Sequence, residues 1–428
     1  MDYKVIHDSL HGSVKLEGVF LELIDAPELQ RLHHIRQLGM AYLVFPGANH
    51  TRFSHSLGTY FVASEIASGL NLSQEDQDLV NVAALLHDIG HGPFSHTLEY
   101  AFYSACKVNH TDQTSRIITG DMNVIKEREM FDTPSIPDTL EKYAVDPDKV
   151  SELIQGMKAP YQWTLTPWLE EKSITEPNYL TQIIHGDVDA DQLDYLLRDS
   201  YYTGVAYGII DFPYLLHTLE LRNSTLAVNP KGIEAVEALL VARSLMFTSV
   251  YYHHAVRIAE TMLTRAAEAS LKEHPEIMTM SDWEFFSYLE QGTDYQKDLV
   301  TRLKYRILFK RAFMAHIDEL TQDQKNAVAE LAEPEIRKEK ERIICRKAGI
   351  KEGYAFIDVP ERDILLSEPR ITRTGIPVYD GEFKSLSEYT PTAAALQKRR
   401  VPSWGLMVST PSQYKERVKK VCQKVIFS

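Results

Sequence analysis

Twelve residues from Leu85 to His96, Leu-Leu-His-Asp-Ile-Gly-His-Gly-Pro-Phe-Ser-His, restrict what this chain can fold into more than any other stretch. Val80, Val82, Ala83, Ala84, Leu85 and Leu86 before the first histidine form the apolar run of a buried helix. Three histidines and an aspartate follow within ten residues. Successive helical residues point about 100° apart, so His87 and Asp88 can meet one ion only near a helix edge, and other segments must complete the site. Gly90 and Gly92-Pro93 break the helix, which places His91 and His96 on a turn whose imidazoles can face one cavity.

Around this stretch the spacing is mostly helical. Residues 4–16 read as a hairpin with its turn near Ser9 to Ser13, since β-branched residues flank a polar, Gly-containing centre. Phe20 to Leu38 recur at helical spacing, with Asp25 as N-cap, Pro27 in the first turn and Gly39 as the stop. Further helices are predicted from about Ser54 to Leu70, from Ser73/Glu75 through His87, and near 138–157 within a helical insertion at about 115–182. Helical spacing returns from Tyr179 to Leu197, where Asp187, Asp189, Asp191 and Asp194 need an explanation. A hairpin at 221–232 and a long apolar-striped helix at 233–270 follow. Beyond about 300 the texture changes to a helix at 333–348, strand-like pieces at 354–359, 371–378 and 404–409, and a basic helix at 412–425. The chain therefore reads as mainly α, with short N-terminal and central hairpins, a helical core over 1–300 and a smaller α+β C-terminal domain over 301–428.

Sixty acidic against 46 basic residues leave a net charge of −14, which argues against a broad nucleic-acid footprint. A phosphate site must then be a focused one. Cys106, Cys345 and Cys422 are too few and too scattered for a disulfide framework or a zinc ribbon. Neither a signal peptide nor a membrane-length apolar stretch is seen, so the expectation is a cytoplasmic protein without membrane contact.

A divalent ion that activates water needs imidazole and carboxylate ligands converging from rigid elements, with a position left open. His55, His87, Asp88 and one aspartate of 187–194 can supply such a set. This order, H…HD…D, resembles the HD-domain metal-dependent phosphohydrolases, and within them the deoxynucleoside triphosphate triphosphohydrolase branch. Four blocks carry the likeness, which covers residues 4 to about 260: Gln37-Leu38-Gly39 with Val44-Phe45-Pro46-Gly47-Ala48; Arg52-Phe53-Ser54-His55-Ser56-Leu57-Gly58; His87 through His96; and Asp189-Ala190-Asp191-Gln192-Leu193-Asp194-Tyr195 with Arg198-Asp199.

The resemblance implies an HD-domain helical core, metal ligation by His55, His87, Asp88 and Asp191, and attack on the α-phosphorus of a dNTP. It implies catalytic roles for His91, His96 and His110, with Glu99 or Asp112 as the carboxylate partner of His110. Substrate contacts are implied for Gln37 at the sugar 3′-hydroxyl, Arg52 at a phosphate and Tyr195 at the deoxyribose edge, and more weakly for Arg243, Tyr251 and His253. The metal is open among Mg, Mn, Fe, Co, Ni and Zn. Gln192 stands where the family often has Lys or Arg, and Thr111 where it often has Glu. Lys4, Asp25 and Gln30 match an activator pocket for a guanine nucleotide at subunit contacts, although His33 and His7 depart from it, so a nucleotide activator and a homo-oligomer are expected only by resemblance. Rival readings are hydrolysis of nucleoside mono-, di- or cyclic phosphates, a non-catalytic nucleotide sensor, and a nucleic-acid-binding protein using Lys398 to Arg400 and 415–424.

Overall fold

A computed structural model of the chain describes residues 3–126, 132–156, 179–271, 273–359, 375–397 and 404–427. Residues 371–374, Lys398 to Arg400 and the proline-containing stretch 157–178 of the insertion lie outside them. The hairpin forms as β1 (Tyr3–Asp8) and β2 (Gly12–Glu17), antiparallel with Asp8 opposite Gly12. The helix expected over 20–38 does not form as one element. Val19–Leu23 and Pro27–Gln30 are short α-helices, and Arg31–His34 and Gly39–Leu43 are 3-10 turns. Ala26, not Asp25, precedes Pro27 as N-cap, and Gly39 opens a turn at φ +47° instead of closing a helix. Leucines at helical spacing serve several short turns equally well when each is buried, as Leu23, Leu29 and Leu32 are.

Three long helices frame the site. α1 (Arg52–Gly69) packs along α2 (Gln74–Leu86), whose N-cap Ser73 accepts from the Asp76 amide, as the sequence suggested. α3 (His96–Cys106) and α4 (His110–Ile118) follow the histidine turn. The helix expected from Tyr179 is split: Tyr179–His185 ends before Asp189, which caps α5 (Ala190–Thr203) by accepting from the Gln192 amide. That split turns Asp191 into the first turn of a new helix that crosses α1.

β3 (Leu219–Arg222) and β4 (Thr225–Val228) make the central hairpin, and Asn229-Pro230-Lys231-Gly232 forms a 3-10 turn after it. The long helix at 233–270 is interrupted. α6 (Ile233–Met246) runs into a π-helical turn at Phe247–Tyr251 before α7 (His254–Leu271) begins. Beyond 300, β5 (Lys310–His316), β6 (Phe356–Asp358) and β9 (Trp404–Thr410) form a sheet in the order β5-β9-β6 under Pro334–Ala348 and Lys415–Ile426. β7 (Pro377–Tyr379) and β8 (Phe383–Ser385) instead return to the first core, where β7 pairs in parallel with β4. Ile376, Val378, Leu386, Ala393 and Leu396 share one apolar cluster with residues from Val14 to Val250, so the structure crosses the boundary expected near 300. Among the described residues, no helix is long and apolar enough to cross a membrane.

Candidate active site

His87 closes the C-terminal end of α2 and lends its Nδ1–H to the Ala84 carbonyl at 2.8 Å, which turns the Nε2 lone pair outward. One turn inside α1, His55 gives its Nδ1–H to Asp194 Oδ2 at 2.8 Å and likewise presents Nε2. The two Nε2 atoms lie 3.3 Å apart. Asp88 Oδ1 is 3.3 Å from His87 Nε2, and Asp191 Oδ1 is 3.1 Å from His55 Nε2 and 4.0 Å from His87 Nε2. Two imidazole lone pairs and two carboxylates so close together repel one another unless a cation sits among them. Their spacing is that of donors about 2.1 Å from a shared centre, and the set of His55, His87 and Asp88 alone suffices to hold an ion. Electrostatics agrees: burial opposes charge on His55, yet Asp191 and Asp194 outweigh it and draw its pKa up to about 10, so the cage holds positive charge at that spot. His87, desolvated, is pushed below the usual histidine range and keeps its lone pair. The residues therefore fit a divalent metal, whose binding would displace the His55 proton.

Arg52 opens α1 and is 2 % exposed. Its Nη1 donates to Asp88 Oδ2 at 2.6 Å and its Nε to Ser95 Oγ at 2.7 Å, while Nη2 is buried with no hydrogen-bond partner among the described residues. Burial would raise the Asp88 pKa, but Arg52, His87 and His91 together hold it well below the carboxylate range.

The turn between α2 and α3 is strained and heavily braced. Phe94 and Ser95 adopt φ of +55° and +48°, a left-handed pair without glycine. Asp282 accepts from the Phe94 amide at 2.7 Å and the Arg36 amide at 3.1 Å, and Arg31 donates to the Ile89 and His91 carbonyls. Gly90 packs against the start of α4 so closely that any Cβ would overlap His110 and Thr114. Sequence reading gave no role to Arg31, Asp282 or Ser95, because their partners lie tens to hundreds of residues away.

This turn brings the other histidines together. His91, 2 % exposed, stacks on His110 with ring centroids 4.0 Å apart and meets His96 edge-on at 5.1 Å. Glu99 bridges His110 Nδ1 and His96 Nδ1, the latter at 2.8 Å, and is thus the carboxylate on His110, while Asp112 lies at the capped start of α4. Desolvation lowers His91 well below the histidine range, with Arg52 and His110 adding to it. For His110 burial works in the same direction, but Glu99 prevails and its pKa is raised; Glu99 itself is held well below the carboxylate range. Position 96 is the outermost, with a side chain 64 % exposed.

Gln37 is buried, its Oε1 without a hydrogen-bond partner among the described residues, and the Tyr195 and Tyr251 rings lie 6.4 Å apart near the start of α5. Tyr251 Oη donates to Asp199 Oδ2 at 2.6 Å, and the π-helical turn sets it there. Arg243 is fully enclosed and donates to Gln192 Oε1 at 2.9 Å, so Gln192 points into the core beside a buried guanidinium, where a lysine would meet like charge. His253 sits edge-on to Phe45, outside these pairs. Lys4 is ion-paired with Asp25 on the surface and Gln30 donates to the Ile24 carbonyl, contacts that tie the hairpin to the following turns.

Two profile matches and several relatives accord with this geometry. An HD-domain family model matches residues 52–199 and one for the HD associated region matches 210–427. An uncharacterized protein of Methanocaldococcus jannaschii is 35% identical over 98% of this chain and 81% of its own, and YwfO of Bacillus subtilis is 32% identical over 93% and 90%. Human deoxynucleoside triphosphate triphosphohydrolase SAMHD1 is 30% identical over 61% of this chain, which spans 44% of that protein. A solved structure of a hypothetical protein from Aquifex aeolicus superposes with TM-score 0.67 at 27% identity, covering 98% of this chain and 99% of that one. With its HD motif folded into one buried donor cage and the associated-region model matching half of the chain, the protein belongs to the HD-domain family of metal-dependent phosphohydrolases.

Proposed function

We propose that the protein hydrolyses deoxynucleoside triphosphates at the α-phosphorus, releasing a deoxynucleoside and inorganic triphosphate. The observation that carries this reading is the unpaired, buried Nη2 of Arg52 beside the His55–His87–Asp88–Asp191 cage, a charged donor held ready for an anionic oxygen. Likeness to SAMHD1, named as a deoxynucleoside triphosphate triphosphohydrolase, supports the choice of substrate. The chemistry a bound divalent ion supplies at this cage is polarisation of a phosphoryl oxygen and activation of water. Asp88 holds Arg52 in place and Ser95 fixes its Nε, so the guanidinium needs no reorganisation to receive a phosphate. Cleaving the bond between the α-phosphorus and the 5′-oxygen leaves an alkoxide that needs a proton. His110 keeps one because Glu99 stabilises its charged form, and His91, stacked on it and neutral, lies between it and Asp88.

An acid that must be protonated loses activity as pH rises through its pKa. The raised His110 pKa therefore puts the basic limb of the kcat profile above the usual histidine range, and Glu99→Gln is expected to move that limb to lower pH. Profiles of both proteins at saturating substrate check this; an unmoved limb would assign the proton elsewhere. The activity itself is tested by product analysis across dNTPs and NTPs with Mg²⁺ or Mn²⁺, and again after chelation. Triphosphate and deoxynucleoside, lost on chelation, are the expected outcome; release of orthophosphate alone would refute attack at the α-phosphorus.

A further inference from the structure

Asp194 is fully buried and accepts four hydrogen bonds, two on each oxygen. Oδ2 takes His55 Nδ1 and Arg198 Nε, each at 2.8 Å. Oδ1 takes Arg198 Nη2 at 2.9 Å and, at 2.7 Å, Nε2 of His11, which arrives from the tip of the N-terminal hairpin 183 positions away. A carboxylate offers about four lone-pair positions, so this one is saturated and cannot rotate without breaking a bond.

The hairpin is built to deliver that histidine. Asp8 Oδ1 accepts from the Leu10 and His11 amides, closing the turn, and the same carboxylate grips Arg198 through Nη1 at 2.8 Å and Nη2 at 3.1 Å. The His11 ring stacks on Phe61 of α1 at 4.7 Å, and its side chain is 4% exposed. At Gly58 of α1 any Cβ would overlap Asp194 and Arg198, so helix and network are fitted to one another.

We propose that His11 is a positioning residue of the metal site, acting through Asp194 to hold the His55 imidazole in the orientation that presents Nε2. The N-terminal hairpin is then part of the active site although it contributes no ligand. Outer carboxylate and donor partners of ligating histidines commonly contribute 10- to 100-fold in metal affinity. This inference rests on the divalent-ion reading of the cage.

The test is titration of the full chain with Mn²⁺ alone by calorimetry, beside melting of the chelated proteins. His11→Phe keeps the stack on Phe61 and removes the donor; His11→Gln keeps a donor at nearly the same place. Expected is Mn²⁺ binding about 10- to 100-fold weaker in His11→Phe, recovered in His11→Gln, with the two chelated variants melting alike. Equal Mn²⁺ affinity in wild type and His11→Phe overturns the role of His11. Weakening that His11→Gln does not recover, matched by lower melting of both variants, also overturns it and makes His11 a packing residue. Failure of the wild type itself to bind Mn²⁺ would instead refute the metal reading on which the inference stands.

Discussion

Asp191→Ala is expected to lower turnover by a factor on the order of 10³ or more while leaving the melting temperature near that of the wild type. The two effects separate because of where Asp191 sits. It is the member of the proposed cage whose side chain stays partly accessible, at 16%. Its loss would remove one of the four donors proposed for the ion, and several kcal/mol of transition-state stabilisation, about 4 for a factor of 10³, would go with it. Asp88→Ala must behave differently. That carboxylate belongs to the proposed cage and also neutralises Arg52, so its removal strands a charge that is 2 % exposed. Breaking such a pair typically costs about 3–5 kcal/mol. Steady-state rates with calorimetric melts of the two variants decide the matter, and equal melting of both would show that Arg52 does not depend on Asp88.

Arg198→Leu should be the most destabilising single change near the site, by about 3–5 kcal/mol. Arg198 is fully buried between Asp8 and Asp194 and is hydrogen-bonded to both carboxylates. Desolvation disfavours charge on all three groups, but the mutual attraction wins: both carboxyl pKa values are lowered and that of Arg198 is raised. Without Arg198, Asp194 keeps only the His55 and His11 donors and Asp8 only the Leu10 and His11 amides in a desolvated interior, and the pH dependence of stability should change sign with them. Carboxyls with depressed pKa values stabilise the wild type above the unfolded-state range, and that stability is lost as pH falls through the depressed values. In Arg198→Leu the same groups prefer protonation, so mild acid should relieve part of the damage. Urea unfolding at neutral and mildly acidic pH measures this; a variant within 1 kcal/mol of wild type, or one not relieved by acid, would contradict the arrangement.

Legibility from sequence followed sequence distance. The Ser73 cap, the hairpin at 3–17 and the His87-Asp88 pair depend on neighbours a few residues away, and all are readable. Choosing Asp191 among the aspartates of 187–194 needed the family resemblance, since nothing local says that two helices will cross at His55 and Asp191. Asp194 and Arg198 were visible as an acid and a base four apart on a helix, a pattern that usually means a surface pair. Only the fold reveals that both are buried and that they reach His55, 139 positions from Asp194. The π-helical turn at Phe247–Tyr251 left no trace in the apolar spacing, because an extra residue in one turn changes direction without changing composition. Gln192 stands where the family often has a cation, and only the fold reveals that its side chain is buried and faces Arg243.

The parallel pairing of β4 with β7 has a consequence for biosynthesis. Residues up to Val250 leave the ribosome with their central sheet open at one edge, and the covering residues Ile376 to Leu396 come over a hundred codons later. At about 5–20 residues per second, that delay is on the order of 10 s. During it the nascent half that carries the cage has an unpaired strand edge and an uncovered apolar face, the exposure that chaperones recognise.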